Sequence, residues 1–263
     1  MEPTSHTTPL ATTALHDSSF AADSLGVSEW LEQRWLEERS LNESISEQLY
    51  DAFDCSRATP EMMDAYWADG WRHFGTSFFR TQIDILRGEL VLVMPLRIVV
   101  DNFTLSKSQR RIWRKNADAE VNIHPIQLTE AHSALFDKHK QRFTENQPET
   151  LHDFLSTEPA TAPCLAYECR ITDQANKRLL AASFVDIGDE ALSSVYAMFD
   201  PEEAQRSLGI FTLLCELDFA KRLGKKYLYL GYAYHVPSFY DYKKQFSAIE
   251  YYDWRGAWLP LSR

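Results

Sequence analysis

The chain has 263 residues, of which 44% are hydrophobic and 25% charged, a composition typical of a globular protein with a substantial core. No apolar run reaches the roughly 18 residues that a membrane span needs, and the N-terminus lacks a secretory signal pattern, so a cytoplasmic location is expected. The net charge of −11 argues against a nucleic-acid partner, but residues 1–60 alone carry 11 acidic and 3 basic residues, a net of −8. Local basic patches in the rest of the chain therefore stay open.

The N-terminal half is predicted to combine helices with a β-hairpin. Residues 1–25 are rich in Ser, Thr and Ala and are expected to form a disordered or loosely attached arm. Thr59 and Pro60 supply an N-cap and a first-turn proline for the second helix. In chain order the predicted elements are helices at 28–38 and 60–69, a hairpin around Arg87-Gly88, a short helix in SKSQRRIWRKNAD, a strand in EVNIHPIQL, and helices in TEAHSALFDKHKQRF and near 149–156.

The second half is predicted to be a meander followed by one long helix and further strands. CLAYECRIT, KRLLAASFVDIG and EALSSVYAMFD are three β-rich runs joined by short polar turns. The segment DPEEAQRSLGIFTLLCELDFAKRLG places Ile210, Leu213, Leu214 and Leu217 at helical spacing, with a stop at Gly224. YLYLG and one or two strands in IEYYDWRGAWLPL follow. This order predicts an α+β fold with one central, mostly antiparallel sheet.

Few motifs in the sequence indicate a cofactor or a metal. Four cysteines, Cys55, Cys164, Cys169 and Cys215, show no zinc spacing and are predicted to be buried free thiols. The glycine patterns of dinucleotide and Walker phosphate sites, the serine-nucleophile elbow and HExxH are all missing. We therefore expect no metal and no cofactor.

The clearest charged pattern lies in SKSQRRIWRK. A helix there places Lys107, Arg110, Arg111 and Arg114 on one face, with Lys115 beside them and no acids between. This face is either simply solvated or a contact for a phosphate backbone. At the start of the long helix, Arg206, Ser207 and the backbone N–H groups form either an ordinary first turn or an anion site.

Several short segments of the chain match one family of proteins in the family's order, over most of residues 45–255. The matching segments are GWRHFG at Gly70–Gly75, MPLRI at Met94–Ile98, FTLSKSQRR at Phe103–Arg111, RKNAD at Arg114–Asp118, LTEAH at Leu128–His132, FDPEEAQRSLGIF at Phe199–Phe211, YLYLGY at Tyr227–Tyr232 and YKKQF at Tyr242–Phe246. Together they resemble the aminoacyl-tRNA–protein transferases of the N-degron pathway, the arginyl-transferases and bacterial leucyl-transferases.

The resemblance implies an acetyltransferase-like catalytic domain at 126–263, similar to the GCN5-related N-acetyltransferases, after an N-terminal region at 26–125. It implies transfer of an aminoacyl group, Arg or Leu, from charged tRNA to the α-amine of an acceptor protein with an acidic N-terminus. The tRNA ester is already activated, and an α-amine with a pKa near 8 is a competent nucleophile at neutral pH. The protein must mainly align the two groups and stabilise the oxyanion.

The resemblance also assigns site residues. The expected catalytic residues are Tyr232, Tyr242, Lys243 and His235, around the end of the strand YLYLGY, where Lys243 would lie near a tRNA phosphate or an acceptor carboxylate. Arg72 and Arg97 are expected to bind the acidic acceptor, because arginine pairs with carboxylates bidentately. The expected tRNA-binding residues are Lys107, Arg110, Arg111, Arg114, Lys115, Arg206 and Ser207.

The chain departs from the family pattern in two places. The family's cysteine pair between the WRRFG-like and PLR-like motifs is missing, and its GCxKMxYK segment becomes VPSFYDYKK. The alternatives are therefore the same donor chemistry on a small molecule or biosynthetic peptide, or a non-catalytic relative that binds tRNA or peptide. An acyl-CoA transferase is disfavoured, since QRSLG at Gln205–Gly209 only partly matches a pyrophosphate loop.

Overall fold

The structure is a computed structural model that describes residues 50–143 and 147–261. The predicted arm at 1–25 and helix at 28–38 lie outside these residues. The strands are β1 (Tyr50–Asp54), β2 (Arg72–Phe74), β3 (Ser77–Thr81), β4 (Ile83–Leu86), β5 (Glu89–Val99), β6 (Ala119–Pro125), β7 (Ala166–Asp173), β8 (Leu179–Ile187), β9 (Ala191–Phe199), β10 (Tyr227–Tyr234), β11 (Ile249–Tyr252) and β12 (Trp258–Pro260). The helices are α1 (Pro60–Ala68), α2 (Lys107–Lys115), α3 (Glu130–Lys140) and α4 (Leu208–Arg222), with 3-10 turns at Val100–Asn102, Leu151–Asp153, Pro201–Arg206 and Phe239–Gln245.

The strands form one large and one small sheet, so that the predicted α+β class is confirmed. The nine-stranded sheet has the order β12-β11-β5-β10-β9-β8-β7-β6, with β4 paired to β5. All its pairs are antiparallel except β9 with β10. The prediction of a single sheet was incomplete, because β1, β3 and β2 pair only with one another. Local alternation of side chains does not tell which strands pair over long distances.

Local capping signals set most helix boundaries where the sequence predicts them. The Thr59 side chain accepts from the Met62 N–H, with Pro60 in the first turn, and Ser106 forms a capping box with Gln109. Two predictions were wrong in detail. Residues 149–156 contain only the 3-10 turn that Thr150 caps, and the long helix is interrupted at Ser207, whose φ of 54° lies in the left-handed region.

Helix α4 and the small sheet cover opposite faces of the large sheet. On one face Leu213, Leu214 and Leu217 of α4 pack against Leu228 and Leu230 of β10. The other face buries a second cluster from α1, the small sheet and β10, which includes Trp67, Phe78 and Tyr229. Each such large apolar side chain contributes about 1.5–3 kcal/mol when fully buried. The centre of the sheet is therefore enclosed from both sides around β10.

The large sheet runs across the predicted boundary at residue 125. β5 lies at its centre, between β11 and β10, although it belongs to the region predicted at 26–125. The division into an arm, an N-terminal region and a catalytic domain stays a prediction. Within the described ranges, no helix has the length and apolar character needed to cross a membrane.

Candidate functional site

The site begins where the two parallel strands stop pairing. β9 and β10 pair only over Ala191–Ser193 with Tyr227–Tyr229, although both strands continue beyond this point. β10 then shifts its register against β5 between Tyr229 and Gly231, and Gly231 has a φ of 78°. A left-handed backbone favours glycine, so this residue fits the irregularity. Beyond Ser193 the facing edges of the two strands leave a gap in the sheet.

Cationic side chains occupy this gap and satisfy backbone carbonyls that lack a strand partner. Arg72 donates to the Ser194 carbonyl and to the Ser193 hydroxyl. Lys243 Nζ donates to the Tyr232 carbonyl at 3.0 Å, and Lys244 donates to the carbonyl of Tyr234. Buried carbonyls need such partners, because an unpaired polar group costs about 1–3 kcal/mol. The polar edges of the gap are thus lined by positive charge.

A buried carboxylate lies beneath these cations on α4. Glu216 is 0% exposed, and neither of its oxygens has a hydrogen-bond partner among the described residues. Burial raises the pKa of Glu216 to about 7, against the opposing effect of the Ser183 and Ser194 hydroxyls and the charges of Arg72 and Lys243. Burial therefore disfavours the ionised form of this carboxylate relative to an ordinary exposed one.

Lys243 has a pKa shifted in the opposite direction. Burial, followed by the charge of Arg72, lowers the pKa of Lys243 to about 7, while Glu216 raises it. Burial also lowers the pKa of the Arg72 guanidinium. A Cβ added at Gly231 would lie 3.4 Å from Arg72 Nη2 and 3.5 Å from Lys243 Nζ, so both cations border the same point of the backbone. Oppositely perturbed titratable groups in one cleft are typical of acid–base sites.

Two of the predicted tyrosines lie near this cluster, and the predicted His235 is an exposed residue just after β10. The Tyr232 hydroxyl donates to the Gly70 carbonyl at 2.8 Å, and burial raises the pKa of Tyr242 to about 12. His235 is exposed, and its ring lies 6.1 Å from that of Tyr251, which packs against the α4-side core. The catalytic role expected of His235 stays a prediction.

Arg97 lies on β5 and already has a carboxylate partner. Its Nε donates to Glu250 Oε2 at 2.8 Å, and its guanidinium stacks over the rings of Tyr227 at 3.9 Å and Trp258 at 4.4 Å. A substrate carboxylate would have to compete with Glu250. Arg72, whose partners are a hydroxyl and a carbonyl, is the stronger candidate for an acidic group.

The five basic residues of α2 are all exposed, and the helix buries Gln109 and Asn116 instead. Arg110 donates to the Leu105 carbonyl and Lys115 to that of Gln205. The other three cations form no ion pair or hydrogen bond with any residue that the structure describes; they are Lys107, Arg111 and Arg114. Within the described ranges these three charges are therefore unpaired.

Arg206 and Ser207 are less available than the sequence suggests. Arg206 forms a bidentate ion pair with Asp118 at 2.7 and 2.8 Å and also contacts Glu203 at 2.9 Å. The Asp118 hydrogen bond raises the pKa of Arg206 further above its usual range. Asn116 Nδ2 donates to the Arg206 carbonyl, which holds α2 against the start of α4. The structure gives Arg206 a role in joining these two elements.

A second polar cluster lies beside the site and was missed in the sequence. His73 Nε2 lies 2.7 Å from Asp186, and its Nδ1 lies 2.9 Å from the Gly75 carbonyl. Cys164 hydrogen-bonds Asp186, and burial raises its pKa. Their ligand atoms lie within 4.8 Å, which is the one grouping in the described residues with metal-ligand chemistry. Each group already has a partner within the cluster. As predicted, Cys164, Cys169 and Cys215 are buried free thiols, while Cys55 is half-buried.

Glu216 was the other residue missed by sequence reasoning. Its sequence signal was a single acid between Cys215 and Leu217, in a helix whose positions are buried on nearly every side. Glu216 lies within the continuously buried run Phe211–Leu217, whereas the other acid of the helix, Asp218, is exposed. The helical apolar pattern was recognised, but the buried acid within it was not.

Comparisons with known proteins identify relatives of the chain. The family model described as the C terminus of arginine-tRNA-protein transferase matches residues 128–253. An aspartate/glutamate leucyltransferase of Xanthomonas campestris pv. campestris is 34% identical over 179 residues, 65% of this chain and 70% of that protein. One from Acinetobacter baumannii is 28% identical over 204 residues, 74% of this chain and 70% of that protein.

Similarities to solved structures are much lower. The crystal structure of FemX has a TM-score of 0.42 and 10% identity, covering 76% of this chain and 69% of that one. A tandem GNAT protein from the clavulanic acid pathway has a TM-score of 0.37 and 12% identity, covering 82% of this chain and 64% of that one. Similarities this low carry nothing about the site.

The sequence relatives and the site agree on one assignment. The matched range 128–253 contains both Glu216 and Lys243, as well as the strand β10 that carries the register shift. The identity of 34% extends over 70% of the Xanthomonas protein. This chain therefore belongs to the arginine-tRNA-protein transferase family of tRNA-dependent aminoacyltransferases.

Proposed function

We propose that this protein transfers an aminoacyl group, Leu or Arg, from charged tRNA to the α-amine of a protein that begins with Asp or Glu. The observation that carries this proposal is the 34% identity with an aspartate/glutamate leucyltransferase over 70% of its length. The gap between β9 and β10, with its half-buried cations, supplies a protected place for the amine and the ester to meet. An aminoacyl-tRNA donor also fits the expected cytoplasmic location.

The basic face of α2 supports a path for the tRNA. Lys107, Arg111 and Arg114 are exposed cations without partners in the described residues, on a helix that contacts the segment leading from β9 into α4. That segment begins at the end of β9, on the side of the sheet where the gap opens. Each phosphate contact releases counterions, so binding here depends strongly on salt.

Phe239 offers a platform for the terminal base of the tRNA. Its ring is 64% exposed on the same 3-10 turn that carries Lys243. The guanidinium of Arg142 lies 4.3 Å from the ring of Phe199, at the end of β9, and 5.8 Å from the ring of Phe239. A base stacked on such a ring gains about 1–3 kcal/mol. The terminal adenosine would then hold its ester beside the gap.

Arg72 is the residue that we assign to the acidic acceptor. Its guanidinium lies in the gap with its Nη groups on Ser193 and Ser194, and it borders Gly231 through Nη2 and Nε. Burial strengthens its attraction for a carboxylate, because the surrounding dielectric is low. Arg97 is assigned instead to holding β5 and β11 together through Glu250.

The proposal is tested by transfer from total tRNA charged with mixed labelled amino acids. The acceptors are peptides that differ only in an N-terminal Asp, Glu or Ala. Label on the Asp and Glu peptides, absent from the Ala peptide, is the expected result, and the labelled amino acid names the donor. Transfer only to small amines would favour the alternative acceptors, for which the divergent segment Val236–Asp241 is the place to look. Binding of tRNA without transfer to any amine would identify a non-catalytic relative.

A further inference from the structure

A small cavity lies beside the register shift of β10, on the face of the large sheet that α1 and the small sheet cover. Its volume is about 160 Å³, including the open space at its mouth. Arg72 and Gly231, which also border the gap, line one part of it. The rest of the wall is apolar or glycine, apart from four aromatic rings, which belong to Trp67, Trp71, Tyr229 and Trp258. The cavity and the gap therefore share two residues.

Trp67 brings to this wall a buried hydrogen-bond donor without a partner. The residue is 1% exposed, and its Nε1 has no acceptor among the described residues. The indole of Trp254, in contrast, donates to the Val93 carbonyl at 2.8 Å. A Cβ added at Gly188 would lie 2.7 Å from Cζ3 of Trp67, so the ring edge opposite Nε1 is the one that packs against the β8–β9 turn. An unpaired buried donor is unfavourable, and the cavity is the space beside this ring that can hold an acceptor.

Tyr229 and Arg72 add further donors to the same wall. Tyr229 is 4% exposed, and its oxygen accepts from Arg97 Nη1 at 3.4 Å. The hydroxyl proton of Tyr229 has no acceptor in the part of the chain that the structure describes. A Cβ added at Gly231 would lie 3.4 Å from Arg72 Nη2 and 3.5 Å from its Nε, so this edge of the guanidinium borders the cavity.

The chemistry of this wall selects the class of occupant. None of the lining residues carries a carboxylate, an amide or an imidazole, so the polar groups belong to indoles, one phenol and one guanidinium. Indole and guanidinium groups only donate, and the phenol oxygen already accepts from Arg97. An ammonium group would lack acceptors here and would be repelled by Arg72, while an alkyl group would leave the donors unpaired. A carboxylate is negatively charged and only accepts, so it can satisfy all three donors.

We propose that this cavity is the subsite for the side-chain carboxylate of the acceptor's first residue, in which Trp67 Nε1 and the Tyr229 hydroxyl donate to the carboxylate beside Arg72. The proposal rests on the proposed function and adds two binding residues to it. Because Arg72 and Gly231 border both the cavity and the gap, a side chain in the cavity leaves its α-amine beside the gap, where the ester is proposed to arrive. Trp67 and Tyr229 thereby determine which acceptors are used.

The subsite should distinguish a carboxylate from the amide of the same shape. An Asn side chain has the outline of Asp, but its nitrogen presents N–H donors to a wall that itself offers donors. A site built to hydrogen-bond a substrate group rejects an analogue that leaves its buried polar groups unpaired. Removal of one donor from the wall should therefore reduce transfer to an Asp peptide more than transfer to an Asn peptide.

The test measures kcat/KM for two peptides that differ only in an N-terminal Asp or Asn and have amidated C-termini, so that the side chain supplies the one carboxylate. Trp67→Phe and Tyr229→Phe each remove a donor and keep a ring in place. We expect each to lower the Asp/Asn ratio of kcat/KM by about tenfold, mainly through the KM for the Asp peptide. Because the ratio compares two substrates of one variant, a partly unfolded variant does not alter it.

The matched control is Trp254→Phe, which removes an indole N–H that already has the Val93 carbonyl as its acceptor. Its Asp/Asn ratio should equal that of wild type. An unchanged ratio in Trp67→Phe or in Tyr229→Phe would refute the assignment of that donor, and an unchanged ratio in both would overturn the subsite.

A second readout does not need the transfer reaction. The Nε1–H signal of Trp67 is followed by NMR of wild-type protein with labelled indoles, and it is assigned by its loss in Trp67→Phe. The Asp peptide, with or without uncharged tRNA, should shift this signal downfield, and the Asn peptide should not. No shift with the Asp peptide under either condition would overturn the subsite. A shift in a protein that transfers to no peptide would refute the proposed function and not the subsite.

Discussion

Comparison of Gly231→Ala with Gly88→Ala distinguishes the effect of backbone strain on stability from the effect of an added methyl group on the site. Gly231 has a φ of 78°, and Gly88, in the β4–β5 turn, has a φ of 82°. Alanine in the left-handed region costs about 1–2 kcal/mol. Alanine also lowers the conformational entropy of the unfolded chain, which offsets roughly half of this cost. Each variant should therefore lose about 1 kcal/mol of unfolding free energy, which is about 2–4 °C in Tm for a domain of this size.

The two variants should differ in activity. At Gly88 the added methyl meets nothing within 4 Å, whereas at Gly231 it lies 3.4 Å from Arg72 Nη2 and 3.5 Å from Lys243 Nζ. These are ordinary contact distances, so the methyl adds little strain but occupies space beside Arg72 and Lys243, in the gap where the amine and the ester are proposed to meet. We expect Gly231→Ala to lose at least about tenfold in kcat/KM, or about 1.4 kcal/mol of transition-state stabilisation.

The assay is aminoacyl transfer to an Asp peptide, measured beside thermal unfolding of both variants. Gly88→Ala should retain transfer close to wild type at a temperature where both variants are folded. Equal activities in two variants of equal stability would refute the placement of the reacting amine beside Gly231. A much larger Tm loss in Gly231→Ala would instead show that the gap is packed more tightly than the distances indicate.

Three further outcomes are expected from other parts of the molecule. The double substitution Arg111→Glu and Arg114→Glu should weaken tRNA binding and reduce the salt slope by about 1 per lost phosphate contact, whereas Arg87→Glu should not, as measured by filter binding at several salt concentrations. Burial lowers the pKa of His139 from 6.5 to about 4. Its contribution to the free energy of unfolding should therefore be full above pH 6.5 and decrease by about 3 kcal/mol as the pH falls to 4. In urea unfolding measured at several pH values, His139→Gln should remove this dependence on pH. Tyr232→Phe removes a 2.8 Å hydrogen bond to a main-chain carbonyl and should cost about 1 kcal/mol in the same unfolding assay.

The sequence predicts those features that depend on neighbouring residues. Thr59 with Pro60 and Ser106 with Gln109 are local caps, and the structure places both helices where these caps predict them. The antiparallel meander of β7, β8 and β9 was likewise readable from short polar turns between β-rich runs. In each case the interacting groups are close in sequence, so the contact can be predicted from the local sequence pattern.

The site depends instead on residues far apart in sequence. Arg72 contacts Ser193 across 121 positions, and Arg97 contacts Glu250 across 153. The sequence names these arginines as acceptor-binding residues but does not show that Glu250 already occupies one of them. Glu216 was missed because its surroundings depend on the gap, which arises where two strands that are distant in sequence stop pairing. Composition and periodicity do not contain that information.

The short parallel pairing of β9 and β10 has a mechanical consequence for the large sheet. Only three residue pairs join these strands, so the half that contains β5 and β10 is linked to the half that contains β7, β8 and β9 by few backbone hydrogen bonds. Beyond those pairs, Arg72 donates to β9 beside Gly231 of β10, and α4 packs across both halves. A pivot of one half against the other would break few strand bonds. We therefore expect that β9 and β10 can move apart at the gap, to accommodate a bulky acyl group, while the rest of the fold is kept.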